Sequence, residues 1–167
     1  NLPVITTYMA KGGFPYDHPL SAGHAGIQVG QPIGNHYLLE SDLVVAVGCR
    51  FGDRHTGKRD IYIGRRKFIH IDIESKQIGR VVPAEVGIVA DAKLALVALL
   101  QEARRRGYRP CPSDRTRHLP ALRIKLARKT DYDDIPIKPQ RVFHEINRFF
   151  PPSTIFTVGC GVNQIWS

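Results

Sequence analysis

With 167 residues, 18.7 kDa and 43% hydrophobic content, the chain can bury a core, and typical domain sizes of about 100 to 200 residues predict one domain or one plus a fragment. No apolar run approaches the ~20 residues that cross a bilayer and mean hydropathy is −0.20, which excludes a spanning helix and makes disorder a poor reading. A formal charge of +9 suits an anionic partner without naming it, and Cys49, Cys111 and Cys160, far apart and lacking C-x-x-C, argue for a reducing compartment, the cytoplasm, over a disulfide or zinc framework.

The opening residues NLPVITTYMA have no basic n-region or apolar h-region of a signal peptide, and they read as a strand entered partway through a protein. A glycine-rich loop follows, then a short helix over Gly34 to Ser41. Asp42 to Val47 (DLVVAV), ended by Gly48, is a continuous apolar run of the kind buried on both faces of a parallel sheet. After a long polar loop, Lys67 to Ile73 (KFIHIDI) and Val86 to Val89 predict two more strands. Ala92 to Arg106 predicts a helix, with three Arg at its C-terminus and a stop at Gly107. Strands alternating with helices imply α/β architecture, a doubly wound parallel sheet. Tyr108 to Ser113 is a Pro-punctuated break, Asp114 to Lys129 a basic helix interrupted near Pro120, and Thr130 to Pro139 an acidic linker. Gln140 to Phe150 then predicts an amphipathic helix and Thr154 to Val158 a strand, the start of a second α/β domain.

Several motifs invite chemistry. Gly52 to Lys58 (GDRHTGK) fits G-x-x-x-x-G-K after a buried strand, yet Arg59 stands where Ser or Thr would hold magnesium, and RDIYIGRR offers no amphipathic helix to face phosphates, so a polar loop is the better reading. A dinucleotide reading suits the segment better. Gly48 at one strand end would let a ligand approach the backbone, Arg50 and Arg54 would neutralise a diphosphate, Asp72 would accept from ribose hydroxyls, and Asp91 ends the third strand on the same carboxyl edge. G-x-G-x-x-G is absent, which leaves ordinary turn residues at the strand ends as the alternative. The seven His show no H-x-x-x-H pair. His70 reads as a satisfied core histidine, and His55 in the polar loop is the better ligand candidate. Cys49 reads as a packing residue, and no G-x-S-x-G elbow or other hydrolytic constellation is present. Between Gln101 and Thr130, ten Lys or Arg face two acids, but with one aromatic and no reader motif a solvated or docking face is favoured over nucleic-acid binding.

Taken together, GCRFGDRHTG (Gly48 to Gly57), FIHIDIESKQIGR (Phe68 to Arg80), GIVADAKLAL (Gly87 to Leu96) and IPIKPQRVFHEINRFF (Ile135 to Phe150) resemble the thiamine-diphosphate carboligases of the acetolactate synthase superfamily. RHTG after the RF motif and the longer stretch Gly26 to Asp42 resemble the glyoxylate carboligases (tartronate-semialdehyde synthases) within it. The resemblance covers essentially the whole chain. It implies a partial central FAD-binding domain over 1–107, an interdomain helix and linker over 108–137, and the truncated beginning of a thiamine-diphosphate-binding domain over 138–167.

By the same resemblance, Thr7, Tyr8, Gly23 and His24 match flavin-side segments. Gly48, Cys49, Arg50 and Arg54 match the G-A-R-F-D-D-R run, with Gly52 replacing an Asp. Asp72, Ile73 and Gln77 match the adenosine region, and Asp91 with Ala92 the G-D-A, with Ala90 replacing a Gly. Gly161, Val162 and Asn163 fall near thiamine diphosphate and Gln164 near the flavin, Val162 and Asn163 replacing the family's Gln and His. The implied activity is condensation of two glyoxylate to tartronate semialdehyde with loss of carbon dioxide. It would use thiamine diphosphate and Mg2+, with a structural FAD, in a cytoplasmic homo-oligomer that binds neither nucleic acid nor membrane. No catalytic residue is assigned to this chain, and by itself it is expected to be inactive. Three alternatives remain: an acetolactate synthase-type enzyme acting on pyruvate, a non-catalytic nucleotide-binding module and a basic nucleic-acid binder.

Overall fold

A computed structural model of the chain describes residues 1–26 and 31–166; residues 27–30, which fall inside the stretch Gly26 to Asp42, and Ser167 lie outside them. The chain divides into two compact units, Asn1–Lys125 and Leu126–Ser167.

The first unit is a parallel α/β assembly, as the alternation of strands and helices predicted. Its strands lie in two sheets. β1 (Val4–Thr6) pairs with β2 (Ser21–His24), and β3 (Leu43–Val47), β4 (Lys67–Asp72) and β5 (Val86–Val89) form the order β3-β4-β5. The register runs Val44↔Phe68, Ala46↔His70 and Val47↔Ile71, then His70↔Gly87 and Asp72↔Val89. Because side chains alternate along a strand, Phe68, His70 and Asp72 share one face of β4. That face meets Phe51 and Tyr62, which join Ala25, Leu38, Ala46, Phe68 and Val82 in the main core cluster. Ile5 of β1 and Val44 of β3 pack against this same cluster, so one core serves both sheets.

Several elements differ from the sequence reading. The opening strand is confined to three residues, and Tyr8–Ala10 turns into a 3-10 helix. The glycine-rich segment contains β2, whose residues Ser-Ala-Gly-His have little β-propensity and are extended by pairing with β1. The early helix is α1 (Pro32–Leu39), entered through a proline at its first position, which needs no N–H there. The polar loop after β3 holds two short helices, α2 (Asp53–Thr56) and α3 (Arg59–Ile63), each stopped by a glycine with positive φ, Gly57 at 60° and Gly64 at 50°. α4 (Ala92–Arg105) starts at Asp91, whose carboxylate accepts from the Leu94 N–H at 3.0 Å, and the chain leaves it through Gly107 at φ 71°. α5 (Asp114–Lys125) runs through Pro120 instead of breaking there and stops short of Lys129; fully buried Leu119 anchors it, and Arg115 carbonyl accepts from the Tyr37 hydroxyl at 2.6 Å.

The second unit contains α6 (Pro139–Phe149) and α7 (Asn163–Trp166). Arg141 gathers the acidic segment before α6, donating to the Tyr132 carbonyl at 3.0 Å and pairing with Asp133 and Glu145. The strand expected over Thr154 to Val158 is not formed. Among the described residues this unit has no strand at all, so a strand here would have no neighbour to pair its backbone donors and acceptors.

Candidate functional site

The carboxyl edge of the three-stranded sheet is built by strand-end hydrogen bonds. Gly48 leaves β3 at φ 60°, a conformation disfavoured for residues with a Cβ, and its N–H donates to the Ile71 carbonyl at 2.8 Å. Among the described residues a Cβ at Gly48 would meet nothing within 4 Å, so its backbone is open on that side to them. The Asp72 carbonyl accepts from the Ala90 N–H at 3.1 Å, and Asp91 follows as the N-cap of α4. Thus Gly48 and Cys49, Asp72 and Ile73, and Asp91 and Ala92 come in line along one edge. Burial pushes the Cys49 thiol up, opposed by a hydrogen bond from Phe51 backbone and reinforced by the charge of Asp72, so this cysteine stays protonated and packs, as expected.

Arg50 and Arg54 are exposed, and no ion pair engages either of them among the described residues. The backbone of Arg54 and His55 lies against Gly26: a Cβ at Gly26 would stand 3.5 Å from the Arg54 carbonyl. The loop after β3 therefore approaches the exit of β2. There Thr6 Oγ1 and His24 Nδ1 are hydrogen bonded across the β1-β2 pair, and Thr7, Tyr8 and Gly23 adjoin them. Burial, helped by the charge of Lys11, keeps the His24 imidazole below the ordinary histidine range and neutral. Gln77 lies in a 3-10 turn after β4, where its amide oxygen accepts from Arg80 Nε at 3.0 Å. Gly161, Val162, Asn163 and Gln164 belong to the second unit, at and before α7.

Two histidines correct the sequence reading. His55 is not free to ligate: Nδ1 is 3.0 Å from the Ala25 carbonyl and Nε2 is 3.0 Å from the Tyr62 hydroxyl. A carbonyl only accepts, so Nδ1 carries the proton and Nε2 accepts from Tyr62. Burial lowers the His55 pKa, which keeps the ring neutral, and raises that of Tyr62, which keeps the phenol protonated. Among the described residues no cluster of three metal-ligating side chains occurs. His70 is a core histidine but not a satisfied one: it is fully buried, and among the described residues neither ring nitrogen has a hydrogen-bond partner.

Sequence reasoning also missed the residues that hold this edge. Phe51 is 3% exposed at φ 53°, the left-handed region that non-glycine residues enter at a cost. Its ring meets Tyr62, Phe68 and His70 edge-on, with centroids 6.0, 5.9 and 5.0 Å away, and this packing keeps the strained turn in place. Asn35 clamps Gly26, accepting its N–H at 2.9 Å and donating to its carbonyl at 3.1 Å. The two polar heteroatoms of a side-chain amide at the mouth of a glycine-rich loop were the available signal.

Parallel strands whose carboxyl ends present an open glycine backbone, arginines and carboxylates define an open α/β domain of the ligand-edge type. A sequence profile of the thiamine pyrophosphate enzyme central domain matches residues 1–99, and the chain belongs to that family. Over 99% of its length it is similar to glyoxylate carboligase of Escherichia coli O157:H7, with 43% identity across 28% of that protein. A probable acetolactate synthase large subunit of Methanocaldococcus jannaschii is 40% identical over 99% of the chain and 29% of its own length, and the acetolactate synthase large subunit of Corynebacterium glutamicum is 35% identical over 99% and 27%. The chain thus spans under a third of the curated relatives it matches. Among the described residues no helix is long and apolar enough to cross a membrane.

Proposed function

We propose that the chain supplies the FAD-binding central domain of a thiamine-diphosphate-dependent carboligase that condenses two glyoxylate to tartronate semialdehyde and carbon dioxide. The observation that carries this reading is the 43% identity to a glyoxylate carboligase along 99% of the chain. The strand-end edge fits an adenine dinucleotide: Gly48 offers open backbone, Arg50 and Arg54 are exposed cations in no ion pair among the described residues, and Asp72 keeps acceptor capacity. In this reading Gly48, Cys49, Arg50 and Arg54 hold the diphosphate. Asp72, Ile73 and Gln77 hold the adenosine, Asp91 and Ala92 close the edge, and Thr7, Tyr8, Gly23 and His24 border the flavin. Gly161, Val162 and Asn163 border the thiamine cofactor.

Thiamine diphosphate, with Mg2+, supplies the carbanion-stabilising chemistry of such a condensation when bound. The residues of this chain bind and orient. Glyoxylate loses carbon dioxide and the remaining carbon joins a second glyoxylate with no net electron transfer, so the flavin serves structure. The assembly is a cytoplasmic homo-oligomer, and the chain by itself is inactive. Its basic stretch serves the fold: Arg123 donates to the Tyr16 carbonyl at 3.0 Å, and Glu102 engages Arg105 and Arg106.

The acetolactate synthase relatives at 40 and 35% identity favour a second reading, in which pyruvate is the substrate. Offering glyoxylate and pyruvate separately to the full-length protein, with thiamine diphosphate, Mg2+ and FAD, decides between them. Carbon dioxide release from glyoxylate supports the first reading, release from pyruvate alone supports the second, and release from neither refutes both.

A further inference from the structure

His70 is an unusual expense in a small core. Its side chain is fully buried, Nδ1 and Nε2 both lack a hydrogen-bond partner among the described residues, and the Phe51 ring covers it edge-on at 5.0 Å. A leucine in its place would fill the core without stranding polar atoms. The ring is nevertheless aimed at something: Nε2 stands 3.9 Å from Asp72 Oδ2, two residues along the same face of β4. That gap exceeds a hydrogen bond, yet it is shorter than the ~5 Å that an intervening water needs. Asp72 is already held at its other oxygen, where Oδ1 accepts from the Glu74 N–H at 2.9 Å. A small rotation of the carboxylate about that hold brings Oδ2 within reach of the imidazole.

We infer that His70 is a positioning residue, its Nε2–H fixing the Asp72 carboxylate from inside the core so that the outward lone pairs face the ribose hydroxyls of a dinucleotide. The inference rests on the proposed role of Asp72 and goes beyond it, because it assigns the orientation of that carboxylate to a residue that never touches the ligand. Carboxylate oxygens only accept, so the proton sits on Nε2. Glu74 and His70 then take one lone pair from each oxygen and leave one on each for the ligand. Ordering the side chain before binding is worth about three- to ten-fold in affinity.

The test compares the full-length protein with its H70L, H70Q, D72N and H70L/D72N variants. FAD affinity is read from flavin fluorescence, and the imidazole of 15N-histidine-labelled protein is read by NMR. H70L should weaken FAD binding about three- to ten-fold, H70Q should restore most of it, and H70L should add nothing in the D72N background. The ligand-free wild type should show a protonated Nε2 whose resonance moves on D72N. Equal loss from H70L in both backgrounds, or no loss at all, overturns the inference. If the wild type binds no FAD, the cofactor reading has failed; the pair then stands if the Nε2 resonance responds to D72N and falls if it does not.

Discussion

Phe51 allows the strain at the strand-end turn to be separated from the packing that holds it. Truncating its buried ring to alanine should cost about 3–5 kcal/mol, because edge-on contacts to Tyr62, Phe68 and His70 are lost and a cavity remains. Alanine keeps a Cβ at φ 53°, so the left-handed penalty of about 1–2 kcal/mol persists. Phe51→Gly loses the same ring but relieves that penalty. At an ordinary position glycine is worse than alanine by about 0.5–1 kcal/mol through chain entropy. Here strain relief offsets that cost, so the glycine variant should equal alanine or exceed it by up to about 1.5 kcal/mol. Urea unfolding of both variants, compared at equal m-values, measures the difference. A glycine variant less stable than the alanine one by about 0.5–1 kcal/mol refutes the strained turn.

Tyr62→Phe should destabilise by about 1–3 kcal/mol, since it strands the half-buried His55 Nε2 acceptor; chemical unfolding reports the loss. The raised Tyr62 pKa means that the folded state keeps a proton the unfolded chain releases above pH 10, so stability should fall as pH rises beyond 10, and this alkaline loss should be smaller in Tyr62→Phe. The lowered His55 pKa works in the opposite direction. Below pH 6.5 the unfolded chain takes up a proton that the folded ring refuses, so stability should fall as the solution is acidified from there, less steeply in His55→Gln. Two glycine replacements should differ in kind: a Cβ at Gly34 would meet the His24 carbonyl at 2.1 Å, whereas one at Gly48 meets only left-handed strain. Gly48→Ala should therefore cost about 1–2 kcal/mol and Gly34→Ala more, measured by thermal unfolding.

The legible parts of the fold were those with an unambiguous local signal. β3, β4 and β5 are short apolar runs, and α4 has helical spacing, an aspartate at its start and a glycine at its end. What escaped was decided by partners distant in the chain. Ser-Ala-Gly-His becomes a strand because β1 lies beside it, and Thr154 to Val158 stays irregular for want of such a neighbour. α2 and α3 are too short for periodicity to appear, and α5 survives Pro120 because Leu119 is anchored. At the candidate site, Gly48, Asp72 and Asp91 were readable from their place at strand ends. The commitments of His55 were not, since they depend on Ala25 and Tyr62 arriving on either side of its ring.

The protonated state of Cys49 has a practical consequence for labelling. Cys111 and Cys160 are exposed, one in each compact unit, while Cys49 is held back as a thiol by its surroundings. A maleimide applied briefly at neutral pH should therefore tag the two exposed sulfurs first, because thiolate fraction and access set the rate. The native sequence thus carries its own pair of dye attachment points, from which energy transfer would report the separation of the two units without any engineered cysteine.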